Sequence, residues 1–374
     1  MNLNKNFINY QLRLKFARRR IFFSCIILSL LGILLVYDTS SIYAWFNYSD
    51  AMYFLKRQIF FLILGLILLA GILKVDASFL RKQARVLLVT GIIFLVLVLF
   101  IGVKVGGARR WLKIFGFGFQ PSEFMKALFL LYLADYFSRK NYLAKSFLKD
   151  VLPLLGITSL VCLLIFLEPD FGTAIFFGVL TLVFLFIAHI PKKYLGALFL
   201  IFFVVFLVLI FSSPYRRVRI FSYLNPWADS QGKGFQLVQS QIALGSGGFF
   251  GQGLGESKQK LFFLPAAYTD FIFSIAGEEF GFVGCVFLLG VYIFIFFQGL
   301  KILKWVNDKF NFYLGWGSLF ILTFQALVNM AVVVGIFPTK GLPLPFISYG
   351  GSSLLSSFIL LGLFLKTTKE VIEE

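Results

Sequence analysis

The sequence holds a single histidine, His189, and only three cysteines, Cys25, Cys162 and Cys285, in 374 residues. His189 sits beside Pro191 at the inner end of an apolar run, which excludes Ser-His-Asp or Cys-His chemistry on the outer face and leaves a carboxylate as the natural general base. All three cysteines fall inside apolar runs without metal-ligand spacing, so neither a disulfide framework nor a zinc site is indicated. Charge is scarce too: 14% of residues are charged and 17 are acidic, against 35 Lys and Arg. Soluble domains carry about 25% charged residues, so this is not an ordinary soluble enzyme.

What is abundant is apolar surface. Hydrophobic residues make up 59% of the chain, 51 of them phenylalanine, and the mean hydropathy is +0.90. A spanning helix needs roughly 20 mostly apolar residues. Ten such runs are predicted, near 21–37, 59–75, 86–104, 122–138, 151–167, 171–190, 194–212, 271–298, 310–337 and 347–365. The expected fold is an all-α polytopic membrane protein: a basic segment 1–20, one ten-helix domain 21–366 with a large outer loop 213–270 between helices 7 and 8, and a short tail 367–374. The first run follows Arg18, Arg19 and Arg20 as in a signal peptide, but lacks a small-residue cleavage site and reads as a retained helix.

Ten spans place both termini on one side, and inner segments should be rich in Lys and Arg. With the N-terminus inside, 21 cations fall in inner segments and 13 in outer ones, while Lys126 lies within a span. Both termini are therefore expected to be cytoplasmic. Ten of the 13 outer cations crowd into segments 104–121 and 213–270. Such clusters can anchor headgroups and solvate the loops, or form a site for an anionic membrane-borne ligand, since guanidinium forks match phosphate and pyrophosphate.

The long outer segment carries Tyr215-Arg216-Arg217-Val218-Arg219, then Asn225-Pro226-Trp227-Ala228-Asp229, then an amphipathic stretch, 234–245. In that stretch Phe235, Val238, Ile242 and Ala243 define the expected apolar face of a surface helix. Gln236, Gln239 and Gln241 offer the neutral hydrogen bonds that sugars use. The glycines between Gly245 and Gly255 lack the G-x-G-x-x-G spacing and a preceding strand, and read as flexible turns. The segment ends at Asp270, where the eighth span begins. A carboxylate there can cap the helix or act as a base whose pKa the interface tunes.

Ionisable residues inside spans are costly and face the bundle interior. Glu123 and Lys126, three apart on one helical face, read as an internal ion pair, though Glu123 could also face a cavity. Glu278 and Glu279 read as marks of a polar interior. The segment 338–353 has three prolines, which prevent regular helix, and non-helical backbone at that depth must be buried or line a cavity. It is expected to wall the outer cavity.

Six stretches, taken in order, carry a resemblance: Gly107-Ala-Arg-Arg-Trp111, Phe119 through Lys126, Glu168-Pro-Asp-Phe-Gly-Thr173, Gly234 through Ser240, Leu264 through Phe273 with Gly277-Glu-Glu279, and Gly341 through Ser353. The chain resembles the FtsW/RodA/SpoVE family of shape, elongation, division and sporulation proteins over nearly its whole length. Asn225 to Asp229, Ser257 to Leu261 and Phe346 to Tyr349 look more like the division branch, FtsW, than the elongation branch, RodA.

The resemblance implies a peptidoglycan glycosyltransferase that polymerises lipid II, the undecaprenyl-pyrophosphate disaccharide-pentapeptide. The reaction would lie on the outer face of the bacterial cytoplasmic membrane, beside a class B penicillin-binding protein of the FtsI-like kind and other divisome or elongasome membrane proteins. It places the catalytic carboxylate on Asp270 and functional outer-loop residues on Arg109, Arg110 and Trp111. Tyr268 stands where many relatives carry His. Further substrate contacts are expected from Lys113, Arg216, Arg217, Arg219, Gln236, Gln239, Lys260, Thr269 and Ser348. A divalent cation, Mg or Mn, could assist the leaving pyrophosphate, but no ligand set with metal-site spacing is visible, and nucleic acid drops out as a partner. The other readings are a lipid II flippase that uses Glu123, Lys126 and Glu278 as a pathway, and a noncatalytic divisome scaffold.

Overall fold

The computed structural model describes residues 2–373 except 106, 115, 140–146, 213 and 339–340. Thirteen α-helices dominate it. In chain order they are α1 (Asn2–Tyr48), α2 (Tyr53–Lys74), α3 (Ala77–Ile101), α4 (Pro121–Arg139), α5 (Phe147–Asp150), α6 (Leu152–Leu167), α7 (Phe171–Ile187), α8 (Lys192–Phe211), α9 (Pro214–Leu224), α10 (Phe235–Ser246), α11 (Ile272–Leu303), α12 (Lys309–Val333) and α13 (Gly351–Glu373). Each of the ten expected runs lies on one of the long helices. Seven of these are long and apolar enough to cross a membrane, and α6 and α7 are apolar but shorter.

Helix α4 is largely buried. Its inward residues include Ser122, Glu123, Lys126 and Asp135 as well as apolar ones, which is how a span of modest hydropathy is accommodated: its polar groups face protein, not lipid. Helices α3, α12 and α13 pack around it, and α2 lies along α13. By contrast α8 buries only Leu198 and Ile210, so most of its surface is left for lipid.

Several boundaries differ from the sequence expectation: α1 runs over Asn2–Tyr48 rather than 21–37, taking in the basic segment, and α13 continues to Glu373 rather than stopping at 365. The third run stops at Ile101, because residues 103–119 form an antiparallel sheet of β1 (Val103–Val105), β2 (Ala108–Ile114) and β3 (Phe117–Phe119). Lys104 pairs with Arg109 and Lys113 with Gly118. Gly107, at φ 84°, supplies the left-handed turn between β1 and β2 that a hairpin of this length needs. The ninth run ends at Val333 rather than 337, and the tenth begins at Gly351 rather than 347, because the prolines between them hold residues 341–350 out of helix.

The glycine-rich stretch after α10 is docked rather than loose. A Cβ on Gly251 would lie 2.0 Å from the Glu279 carbonyl oxygen, closer than any side chain could sit. That close approach lets Gln252 and Gly253 donate backbone hydrogen bonds to the Glu278 and Glu279 carbonyls, at 3.0 and 3.1 Å. Phe282 and Val283 in turn donate to Gly248 and Phe249. The exchange is possible because α11 is interrupted at Gly281, whose φ of 68° and ψ of −165° break the helix ladder. Helix α10 itself is turned from the expected face: Leu237, Val238, Ser240 and Ala243 are buried, and Ile242 is exposed. Ser240 sets the rotation, because its hydroxyl meets Ser274 on α11 and the Val333 carbonyl on α12, both at 2.8 Å. The helix therefore packs on the bundle instead of only resting at the membrane surface.

Candidate active site

Asp270 occupies a non-helical turn one residue before the N-cap of α11. Ala266 takes a positive φ of 58° there, and its carbonyl collects the Thr269 and Phe271 amides at 3.1 and 3.3 Å. The turn is clamped from two sides. On α12, the Asn329 side-chain amide donates to the Asp270 carbonyl at 2.8 Å and to the Leu342 carbonyl at 2.7 Å. In the proline-rich segment, the buried Ser348 hydroxyl donates to the Thr269 carbonyl at 2.6 Å and accepts from the Leu344 amide at 2.8 Å. Asp270's backbone is thus fixed by buried polar contacts, each costly to leave unmade. Its side chain makes no capping bond to α11; Phe271 is the residue at the cap.

The carboxyl of Asp270 is half-buried, with protein packed densely around it. A Cβ on Gly341 would sit 3.1 Å from its Oδ2, so glycine leaves the carboxylate room on that side. Burial pushes the group from 3.8 up to about 7, with Asp170 adding to the rise, Arg110 opposing it and Glu123 adding a further small rise. Desolvation is the leading cause, as for other carboxyls tuned toward neutral pH.

Those neighbours come from the turn between α6 and α7 and from the sheet. Arg110 on β2 donates from Nε to the Glu168 carbonyl at 3.0 Å and from Nη2 to the Pro169 carbonyl. It thereby ties the sheet to that turn. Asp170 caps α7, accepting from the Thr173 amide at 3.2 Å and its hydroxyl at 3.0 Å. Glu168 is fully buried, and neither carboxylate oxygen has a hydrogen-bond partner in the protein. Burial and the adjacent Asp170 push it up to about 8, against the pull of Arg110. The turn Glu168-Pro169-Asp170 was visible in sequence only as part of the resemblance; no local pattern pointed to its place beside Asp270.

Beneath the site, Lys126 bonds Glu123 at 2.6 Å and the Gln325 side-chain oxygen at 2.8 Å. Gln325 passes the contact on to the Pro343 carbonyl at 2.8 Å. This buried chain links α4, through α12, to the proline-rich wall. Glu278 is not part of it. Its carboxylate accepts from the Ser257 hydroxyl and from the Lys258 and Gln259 amides, so it organises the turn at 257–259. Next to it, Lys260 is 6% exposed and bridges Asp38 at 2.7 Å and Glu279 at 2.9 Å, a role that locks the outer segment to α1 and α11. Asp38 carried no expectation from sequence, since its partner 222 residues away is invisible to local pattern.

The other expected residues are spread around this centre. Arg109 turns its guanidinium to the Leu99 and Phe100 carbonyls at 3.2 and 3.3 Å, at the end of α3. Trp111 is half-buried beneath Gly118. Lys113 and, on α9, Arg217 are exposed; the side chains of Arg216 and Arg219 lie outside the described residues. Gln236 and Gln239 are half-buried on α10. Thr269 turns its hydroxyl back to the Ala266 carbonyl at 3.1 Å. Tyr268 is packed in an aromatic cluster with Phe54 at 4.7 Å, Tyr43 at 5.6 Å and Tyr349 at 5.9 Å. Among the described residues no three His, Cys, Asp or Glu side chains converge as a metal would require, and Asp170 is held by its cap. Among the described residues these carboxylates do not fit a resident cation.

Long apolar helices around a half-buried carboxyl raised toward neutrality, with a clamped proline-rich wall and an arginine-bearing sheet beside it, define a multi-pass membrane protein with a tuned carboxylate site. The sequence profile of the FtsW/RodA/SpoVE family, described as cell cycle proteins, matches residues 18–372, and the chain belongs to that family. Within it the chain falls with the FtsW branch. It is 42% identical to the probable peptidoglycan glycosyltransferase FtsW of Trichlorobacter lovleyi, over 89% of this chain and 88% of that protein. It is 38% identical to the stage V sporulation protein E of Bacillus subtilis, over 92% and 94% of the two chains. The fold matches the crystal structure of the rod shape determining protein RodA of Thermus thermophilus with a TM-score of 0.69 and 27% identity, covering 94% of this chain and 96% of that one. It also matches a chain from a structure described as coordinating polymerization and crosslinking by a peptidoglycan synthase complex, with a TM-score of 0.77 and 28% identity, covering 95% and 98%.

Proposed function

We propose that this protein is a peptidoglycan glycosyltransferase that polymerises lipid II at the outer face of the cytoplasmic membrane, with both termini inside and a class B penicillin-binding protein as partner. The observation that carries the reading is Asp270: a carboxyl fixed by its backbone, accessible at one edge and raised by burial to about 7, which suits a base working near neutral pH. Membership of a family whose relatives are named for this activity supports the reaction class.

In this reading Asp270 takes the proton of the GlcNAc 4-hydroxyl on an acceptor lipid II. The freed oxygen forms a bond to C1 of the donor chain's MurNAc as the bond from C1 to the pyrophosphate oxygen breaks, with inversion. Undecaprenyl pyrophosphate departs with the bonding electrons. Cations of the outer segments, Arg109, Arg110 and Lys113 on the sheet and Arg217 on α9, supply positive potential for that charge. Gln236 and Gln239, half-buried on α10, offer neutral hydrogen bonds to the sugars.

A transport pathway through Glu123, Lys126 and Glu278 is not favoured, because Lys126 closes on Glu123 and Gln325 while Glu278 is engaged elsewhere. The test is purified protein with its penicillin-binding partner on labelled lipid II. Glycan ladders are expected. Absence of chains, together with lipid movement across sealed vesicles, would overturn the reading in favour of transport.

A further inference from the structure

The end of the bundle opposite Asp270 holds a second polar cavity, of about 730 Å³. It opens between the start of α3, the end of α4 and the start of α12, and is lined by Ser78, Arg81, Lys82, Arg139 and Asp308 among others. Under its floor lies Asp135, 1% exposed. Arg139 meets that carboxylate at 2.6 Å, Arg81 at 3.5 Å and Arg85 at 4.0 Å. Asp76 and Asp308 also line the cavity, so with Asp135 three carboxylates stand against Arg81, Arg85, Arg139 and Lys82, an excess of one positive charge. Asp308 is turned to its own helix, accepting from the Asn311 amide at 2.8 Å.

What distinguishes this from a solvated basic surface is its continuation. Below Lys82 the same face of α3 presents Val86, Val89 and Ile93, each more than half exposed. Their spacing of three and four residues makes one stripe that runs from the cavity toward the membrane interior. A cationic, guanidinium-lined hollow at headgroup level above an apolar track matches an amphiphile whose head is anionic. The lipid-facing side of α3 thus adjoins the hollow and gives a membrane amphiphile direct access to it.

We propose that this cavity is a binding site for an anionic phospholipid of the leaflet opposite Asp270, with the phosphate held by Arg81, Lys82 and Arg139 and an acyl chain lying along Val86, Val89 and Ile93. Guanidinium forks suit phosphate, and basic pockets between spanning helices are a known route to headgroup recognition. The site shares no residue with the Asp270 centre, so it stands whether or not the polymerase reading does.

The test is native mass spectrometry of the full-length chain released from detergent in equimolar phosphatidylglycerol and phosphatidylcholine. Wild type should retain phosphatidylglycerol in preference by about tenfold or more, the scale expected of a few phosphate contacts. Lys82→Glu, a surface change outside the Asp135 cluster, and Arg81→Gln should each reduce that preference severalfold. Lys82→Glu keeps the test clear of folding damage, and its melting temperature in neutral lipid should equal that of wild type. Equal retention of the two lipids by wild type, or a preference untouched by both substitutions, overturns the proposal. So does competition by millimolar inorganic phosphate or glycerol phosphate as effective as that by the lipid, which would make the ligand a soluble anion. Displacement by an acidic peptide but not by phosphatidylglycerol would assign the cavity to a protein partner and equally overturn it.

Discussion

Polymerisation by this protein should depend steeply on pH below neutrality, and the dependence should move in opposite directions when two neighbours of Asp270 are altered. Burial raises the Asp270 carboxyl from 3.8 to about 7. A base with that value is about half ionised at pH 7, about one-tenth at pH 6 and about one-hundredth at pH 5, so the chemical step should lose close to tenfold per unit. A carboxyl left at its ordinary value would instead be more than about nine-tenths ionised at pH 5. Asp170→Asn keeps a good helix cap and removes a negative charge that holds Asp270 up, so the rising limb should move to lower pH. Arg110→Gln removes a positive charge that holds it down, and the limb should move to higher pH. The assay is single-turnover chain elongation at saturating labelled lipid II, from pH 5 to 8.5, with the partner bound. A flat wild-type profile between pH 5 and 8, or shifts of the same sign in both variants, would refute the reasoning.

Asp270→Asn should also raise the melting temperature at pH 8. Because the folded-state value lies above the unfolded one, ionisation costs stability as pH rises from 3.8 to about 7, at most about 4 kcal/mol at about 1.4 kcal/mol per unit; the gain should shrink to under about 2 kcal/mol at pH 5. Lys126→Met should destabilise by about 3–5 kcal/mol by leaving Glu123 buried and unpaired, and Lys126→Met with Glu123→Gln should recover much of it, read by thermal unfolding in detergent. Asn329→Ala removes two buried hydrogen bonds, to the Asp270 and Leu342 carbonyls. It should cost about 2–4 kcal/mol of stability and lower kcat more than it raises KM, because the base is loosened while substrate contacts remain. Gly251→Ala should disrupt the 247–253 segment, since its Cβ would meet the Glu279 carbonyl, and limited proteolysis should cut there first.

The helices were legible in sequence because lipid demands long apolar runs with internally paired backbone, and each run carries its own signal. Asp270 stood out locally only as a carboxylate at the junction of a long segment and a span, open to a cap or a base; the resemblance singled it out as the catalytic candidate. The sheet at 103–119 was not legible, since its strands are short and cationic and their pairing is set by turns. Helix α10 showed its period but not its rotation, because Ser240 wins its place inside through two hydrogen bonds rather than through hydrophobicity. Lys260 reads in sequence as an outer cation and an expected substrate contact. Its burial between Asp38 and Glu279 depends on two partners on different helices. Glu168 and Asp170 were hidden for the same reason: their relation to Asp270 exists only once β2 and the α6–α7 turn meet through Arg110.

The central claim is that Asp270 removes the acceptor's proton. The most direct measurement compares wild type, Asp270→Asn and Asp270→Glu, each purified with the partner, for glycan chain formation from labelled lipid II and for lipid II binding in the same preparation. The account predicts that Asp270→Asn binds lipid II like wild type and forms no chains at any pH. Asp270→Glu should retain a low, pH-dependent rate. Chain formation by Asp270→Asn at the wild-type rate would contradict it.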